Sequence, residues 1–423
     1  MNRLHRFAWI VLVAAGAVTG ASAQVGVPGL PPLPLPRVTE PVTGTLRTAQ
    51  STALTQVRGL RIRELLRTER ETVESDPDGQ PILRRQIGAL SPTAEALERA
   101  RAAGFTILRT DELGALGMRL VVLQAPEGMA TRRALRRLRA LDPAGSYDYN
   151  HLYLDSGVPS APTESSPPFH APAANAGGVR IGLIDSGVDS THPALAGVGL
   201  IRHGCEGTLH PAPHGTVVAS ALVGQDGEFQ GLLPGATLYA ADVFCGHGGG
   251  SMSLLAVALD WMARERVAVV NISLVGARSV LLIGLVRAMG QRGHLLVAAV
   301  GNDGPSAPPL FPAAYPEVIG VTGVDAGERA LPEACRGEHV DFAALGTLQL
   351  AAAGGGFSEV RGTSFATPIV AGLLARSLQA PDSAAAQAAV AGLRAQAQDL
   401  GRPGFDTTYG HGLVGRGQLK KVP

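Results

Sequence analysis

From Val179 onward, apolar β-branched runs alternate with segments of helical spacing. The runs are VRIGLID (179–185), TLYAADVF (237–244), VAVVNISL (267–274), HLLVAAVG (294–301) and VIGVTGV (318–324). Each is apolar on both faces, as in a parallel strand covered by helices above and below. This pattern predicts an α/β fold, a doubly wound three-layer parallel sheet. In such sheets the site lies at the carboxyl ends of the strands. The runs end at or near Asp185, Cys245, Asn271 to Ser273 and Asn302.

A different pattern occupies 82–154. ILRRQIGALS reads as a strand. SPTAEALERARAAG reads as a helix with Ser91 as N-cap, Pro92 at its first position and Gly104 as its stop. FTILRTDELGALGMRLVVLQAP reads as two strands around a turn. GMATRRALRRLRALDPAGS is an amphipathic helix with Leu135, Leu138 and Leu141 on one face and arginines on the other. YDYNHLYLDSG is a last strand. The order βαββαβ is that of a ferredoxin-like unit. No stacking aromatics interleave the arginines, so that helix reads as a solvated face and not as an RNA-binding surface.

The remaining segments set the boundaries. Residues 1–23 carry a basic start, a short apolar core (Trp9 to Val18) and the small-residue stretch ASA at 21–23. They read as a signal peptide and not as a membrane span. Residues 24–81 form a Pro-rich stretch followed by a helical segment, RIRELLRTERE, whose mixed charges read as a solvated helix. Residues 156–178 form a Pro/Ser/Ala-rich linker between the unit at 82–155 and the domain at 179–415, and 416–423 is a tail. The mature protein is expected in the periplasm or the medium, without a stable membrane span.

Composition changes this picture little. The chain is 45% hydrophobic but only 17% charged, with 54 glycines, which suits a small-residue α/β protein and not a disordered chain. A net charge of +1 gives no basic field for nucleic acid. Three cysteines, Cys205, Cys245 and Cys335, allow one disulfide and one remaining thiol in an exported protein, and their spacing does not resemble a zinc site.

Four polar residues stand at places where chemistry is possible. Asp185 closes a buried strand, where a carboxylate needs a strong partner, although capping of the next turn through Ser186 and Gly187 would also account for it. His214 opens an apolar helix 29 residues later, where it is either a cap or a base oriented by Asp185. Asn302 follows another buried strand, as a turn residue or an amide donor. Ser364 lies at the start of a helix in RGTSFATPIVAG, as a small residue in tight backbone or as a nucleophile near the positive helix end. The chain order Asp, His, Asn, Ser joins them. It differs from the Ser–Asp–His order of α/β-hydrolases and the His–Asp–Ser order of chymotrypsin-like enzymes.

Five blocks, IDSGVDSTHP, HGTVVAS, VNISLVG, AAVGNDG and GTSFATPIVAG, resemble the motif blocks of the subtilisin-like serine peptidases over about 179–415. The resemblance implies a serine endopeptidase acting on polypeptides, with Asp185, His214 and Ser364 as its triad. Asn302 and the Ser364 amide would form the oxyanion hole. It implies that 82–155 is a prodomain, an intramolecular chaperone and inhibitor, with self-cleavage somewhere in 154–175. The substrate cleft would be formed by Gly248, Gly249 and Gly250 on one side and Ser273, Leu274 and Val275 on the other, pairing with an extended peptide. A processing protease dedicated to one envelope partner is a variant of this reading. An inactive peptide-binding relative is the competitor, and the intact set of four residues opposes it.

This chain departs from the family at several positions. Val275 stands where the family usually has Gly, which narrows the cleft. Leu310 falls where a small residue commonly opens the primary specificity pocket, so a shallow pocket for small or medium apolar residues is expected. Ala194 stands where an acidic calcium ligand is usual, and GQDGEFQG is a short loop, so no calcium or other cofactor is expected. In this fold the strands near Cys205 and Cys245 are neighbours, which implies that those two are paired and Cys335 is free. A monomer is expected.

Overall fold

The computed structural model describes residues 57–155, 158–159, 176–227, 229–351 and 355–416. The expected signal peptide, the Pro-rich stretch, most of the linker and nearly all of the tail lie outside the described residues. In the first part of the chain, helix α1 covers residues 57–68. The strands β1 (Val73–Ser75), β2 (Pro81–Leu90), β3 (Thr106–Leu113), β4 (Met118–Gln124) and β5 (Ser146–Asp155) follow. Helices α2 (Ala94–Ala102) and α3 (Thr131–Leu141) are interspersed among them. The sheet is antiparallel in the order β5-β2-β4-β3, with β1 added along β2. The sheet therefore begins at Val73, inside the segment that the sequence pattern sets apart from it.

Helix α2 starts later than the sequence suggests. Its N-cap is Thr93, whose side chain accepts from Ala96 N. Ser91 sits instead at φ 48°, where the chain turns out of β2, and its Oγ accepts from Arg119 N at 3.2 Å. The side chain that was to cap the helix is used to hold the start of β4.

The larger part contains β6 (Val158–Pro159), β7 (Arg180–Asp185), β8 (Gly199–His203), β9 (Gln225–Asp226), β10 (Phe229–Gln230), β11 (Thr237–Asp242) and β12 (Gly250–Ser251). It continues through β13 (Val269–Ile272), β14 (Leu274–Val275), β15 (Leu295–Ala299), β16 (Val318–Val324) and β17 (Phe342–Leu345). β18 (Thr347–Ala351) and β19 (Phe357–Arg361) complete the set. A seven-stranded sheet runs β17-β16-β15-β13-β7-β11-β8, with parallel pairing throughout. Helices α4 (Pro213–Val223) and α7 (Thr363–Ser377) cover one face with Ile181, Leu183, Val269 and Val297. Helices α5 (Met252–Arg264) and α6 (Val280–Gln291) cover the other with Ile184, Val270, Leu296 and Ala298. Adjacent residues of one strand thus enter opposite cores, which is why these runs read as continuously apolar. Helix α8 (Ser383–Gln396) lies beyond.

The antiparallel sheet packs on α5 and α6. Leu113, Leu116, Leu120 and Tyr153 are buried in the same cluster as those helices. Polar groups fix the register. Asp148 Oδ2 accepts from Val280 N at the start of α6 (2.8 Å), and Asn150 Oδ1 accepts from Ser253 N at the start of α5 (3.1 Å). Both acceptors satisfy amides that a helix N-terminus leaves without helical partners.

Candidate active site

Asp185 is the last residue of β7 and is fully buried. His214 is the second residue of α4, and its Nδ1 lies 2.8 Å from Asp185 Oδ1. That oxygen also accepts from Ser186 N at 2.7 Å. Ser186 Oγ in turn accepts from Gly215 N at 3.0 Å, tying the strand end to the first turn of α4. A Cβ on Gly215 would come within 2.1 Å of Ser186 O, so only glycine lets the helix approach so closely. Because Asp185 accepts from Nδ1–H, the proton is held there and Nε2 is left as the basic nitrogen. Nε2 makes no hydrogen bond among the described residues.

Ser364 is the second residue of α7. Gly362, the N-cap, has φ 143° and ψ 168°, a conformation reserved for glycine. Helices α4 and α7 pack together, with the rings of His214 and Phe365 5.6 Å apart. Ser364 Oγ donates to Ser273 O at 3.2 Å, and Ser273 Oγ donates to Ser364 O at 2.9 Å. Asn302 Oδ1 accepts from Thr363 N at 3.1 Å, which turns the amide NH2 away from Thr363. Asp185 and His214 are thus joined directly, Asn302 is joined to the first residue of α7, and the His214 ring packs on Phe365, the neighbour of Ser364.

The end of β5 lies between the two expected walls of the cleft. Tyr153 pairs with Gly250 and Leu152 with Ser251 on one side. Leu154 pairs with Val275 and Asp155 with Leu274 on the other. Gly250 and Ser251 form the strand, Gly249 packs on the Tyr153 carbonyl, and Gly248 faces Leu65 of α1. Ser273 takes no part in the β14 pairing and serves Ser364 instead. The Tyr153 ring lies on Gly276, and its hydroxyl donates to Ala277 O at 2.9 Å. Leu310 is buried, its Cδ1 2.6 Å from where a Cβ of Gly301 would stand.

Beyond β5 the chain returns as β6. Val158 pairs with Arg361 and Pro159 with Val360 on β19, the strand that leads to Gly362 and Ser364. The chain thus pairs with β14 up to Asp155 and with β19 from Val158.

Helix α1 is not solvated all round. Arg58, Ile62 and Leu65 are buried. Arg58 Nη1 donates to Asp303 Oδ2 at 3.1 Å, beside Asn302, and Arg61 forms an ion pair with Asp155. Burial pushes the Asp303 carboxyl up, with Arg58 opposing it. The missed signal was the spacing of four and three between residues 58, 62 and 65, one face of a helix.

Cys205 and Cys245 form a disulfide with Cα atoms 5.1 Å apart. Cys335 is a free, buried thiol pushed up to about 12 by burial, which makes it inert as a nucleophile. Among the described residues no helix is long and apolar enough to cross a membrane.

The larger part of the chain is similar to known proteins. The sequence model of the Subtilase family matches residues 176–412. Subtilisin E of Bacillus subtilis (strain 168) is 30% identical over 257 residues, which are 57% of this chain and 67% of that protein. An alkaline protease of Alkalihalobacillus alcalophilus is 32% identical over 284 residues, 65% of this chain and 73% of that protein. Fervidolysin from Fervidobacterium pennivorans, a keratinolytic enzyme related to subtilisin, shares the fold at a TM-score of 0.67 and 22% identity. The match covers 80% of this chain and 61% of fervidolysin. The patellamide maturation protease PatA matches at a TM-score of 0.50 and 28% identity, over 56% of this chain and 94% of PatA. The chain belongs to the subtilase family and is a serine-type endopeptidase.

Proposed function

We propose that the chain is an exported zymogen whose own N-terminal unit, a ferredoxin-like prodomain spanning 82–155, fills the active-site cleft until it is cut. Asp185 holds the His214 ring, and His214 Nε2 takes the proton of Ser364 Oγ. The oxygen attacks the peptide carbonyl. The Asn302 side-chain amide and the Ser364 N–H, at the positive end of α7, stabilise the oxyanion. The amine leaves with the proton from His214, and water then hydrolyses the acyl-enzyme.

The observation that carries this reading is the pairing of β5 with β12 and β14 and of β6 with β19, the strand that leads to Ser364. Asp155 is paired with Leu274 and Val158 with Arg361, three residues before the nucleophile. Three residues span at most about 10 Å of extended chain. We assign the cut to the stretch from Asp155 to Val158, so that the mature chain would begin at Ser156, Gly157 or Val158. Two of those three bonds place a small residue, Ser156 or Gly157, before the cut. That suits the shallow pocket proposed at Leu310. Helix α1 adds a second cover through Arg58 and Arg61. Substrates are polypeptides, the enzyme is a monomer without calcium, and it acts in the periplasm or the medium.

A processing protease dedicated to one partner is the second reading. It is favoured by the matches to two maturation proteases, PagA and PatA. Failure to digest unfolded casein, with clean self-processing, would select it.

The test expresses wild type and Ser364→Ala. Wild type should yield a mature N-terminus at 156–158 and label with a fluorophosphonate, while Ser364→Ala should stay full length and unlabelled. Equal behaviour of the two would sink the protease mechanism. A mature N-terminus outside 156–158 would sink the register.

A further inference from the structure

Glu333 lies outside the motif blocks, in the turn between β16 and β17, and is fully buried. Its two carboxylate oxygens accept from Arg361 Nε at 2.7 Å and Nη2 at 2.9 Å. A buried carboxylate held in this bidentate fork is costly to disturb, because removing one partner strands the other. The backbone around Glu333 grips the oxyanion loop at both ends. Gly304 N donates to Glu333 O at 2.8 Å, and Cys335 N donates to Gly301 O at 2.9 Å. Between those two contacts stands Asn302. Arg361, at the other end of the fork, is the last residue of β19 and lies three residues before Ser364. A second tie runs directly, through Gly301 N to Thr363 Oγ1 at 3.2 Å and Thr363 N to Asn302 Oδ1 at 3.1 Å.

Both ties join the loop that carries Asn302 to the strand that delivers Ser364. We infer that Glu333 and Arg361 are positioning residues: their fork sets the separation of the two oxyanion donors, the Asn302 amide and the Ser364 N–H. Neither residue touches the reacting atoms. Their effect reaches the reaction through Asn302, so it falls on kcat and is absent once Asn302 no longer donates. The inference rests on the proposed oxyanion hole, and the experiment separates failure of the one from failure of the other.

Glu333→Gln retains size but can offer only one acceptor to the fork. It is measured in the full-length chain after self-processing, in wild-type and Asn302→Ala backgrounds, with melting temperature as the control for folding. Misplacing a catalytic group by a fraction of an ångström costs about tenfold in rate. Glu333→Gln should lower kcat about tenfold, leave KM within about twofold, and keep a cooperative melt. Arg361→Lys, which keeps the charge but not the fork, should repeat the loss. In the Asn302→Ala background the further loss should shrink to about twofold or less. An unchanged kcat in a folded Glu333→Gln would overturn the inference. So would an undiminished tenfold loss in the Asn302→Ala background, which would make the fork merely structural. If Asn302→Ala by itself leaves kcat unchanged, the oxyanion-hole reading fails, and the positioning inference falls with it.

Discussion

Pro368 lies four residues after Ser364, inside α7. In a regular helix the N–H of residue 368 would donate to the Ser364 carbonyl, but proline has no N–H to give. Ser273 Oγ supplies the missing donor at 2.9 Å, and Ser273 O accepts from Ser364 Oγ in return. Asn271 Nδ2 donates to Ser273 Oγ at 3.0 Å and orients it. The proline thus leaves the Ser364 carbonyl to be held by Ser273 instead of by its own helix. Pro368→Ala restores the helical donor, which competes with Ser273. We expect a melting temperature equal to or above wild type and a kcat several-fold lower. A more stable variant with full kcat would show that the Ser273 contact has no catalytic consequence. The four polar residues of the candidate site stood out in the sequence because each sits in a short block where strand end, glycine or helix start coincide. Glu333 and Arg361 were not. They are 28 residues apart, lie on a turn and a strand end, and carry no local pattern that marks an ion pair.

At the scale of elements, helix α1 is the part that sequence reading placed least well. Its interleaved charges suggest a solvated helix, yet Arg58 is only 8% exposed and Leu65 lies on Gly248. The charges mislead because two of them are used on the protein itself, one on Asp303 and one on Asp155. Charge alone cannot show whether a partner lies in solvent or across a cleft. Strands β17, β18 and β19 were also unassigned. Phe342–Leu345 and Thr347–Ala351 are short, and their periodicity gives no register. If the proposed prodomain is cut and α1 helps to hold it in place, Arg58→Ala with Arg61→Ala should speed its departure. Each partly buried pair is worth about 1 kcal/mol, so the lag between self-cleavage and full activity should shorten about tenfold or more. The cut itself should proceed at the wild-type rate. A lag unchanged in the double variant would show that α1 rests on the cleft without holding it.

At the scale of the whole molecule, the question is what stiffens the rim that carries the cleft. The loop from Asp242 to Gly250 leads out of β11 and into the wall that pairs with Tyr153. Its root is fixed in two ways. Asp242 Oδ1 accepts from Phe244 N at 2.9 Å and from Cys245 N at 3.1 Å, and Cys245 is bonded to Cys205 beyond the edge strand β8. The disulfide spans 40 residues and crosses from the sheet edge to the cleft loop. In the chain-entropy treatment such a closure stabilises by about 4 kcal/mol. If the chain holds no calcium, as proposed, this covalent tie stabilises the rim without depending on an ion. The two ideas predict opposite responses to two reagents. Reduction with dithiothreitol, or Cys205→Ser with Cys245→Ser, should lower the melting temperature by several degrees and raise KM for peptides that reach the Gly250 wall. EDTA should leave the melting temperature within a few degrees. A large fall with EDTA would disprove the calcium-free reading. An unchanged melt on reduction, with the thiols shown to be free by alkylation, would show that the hydrogen bonds to Asp242 suffice to hold the rim.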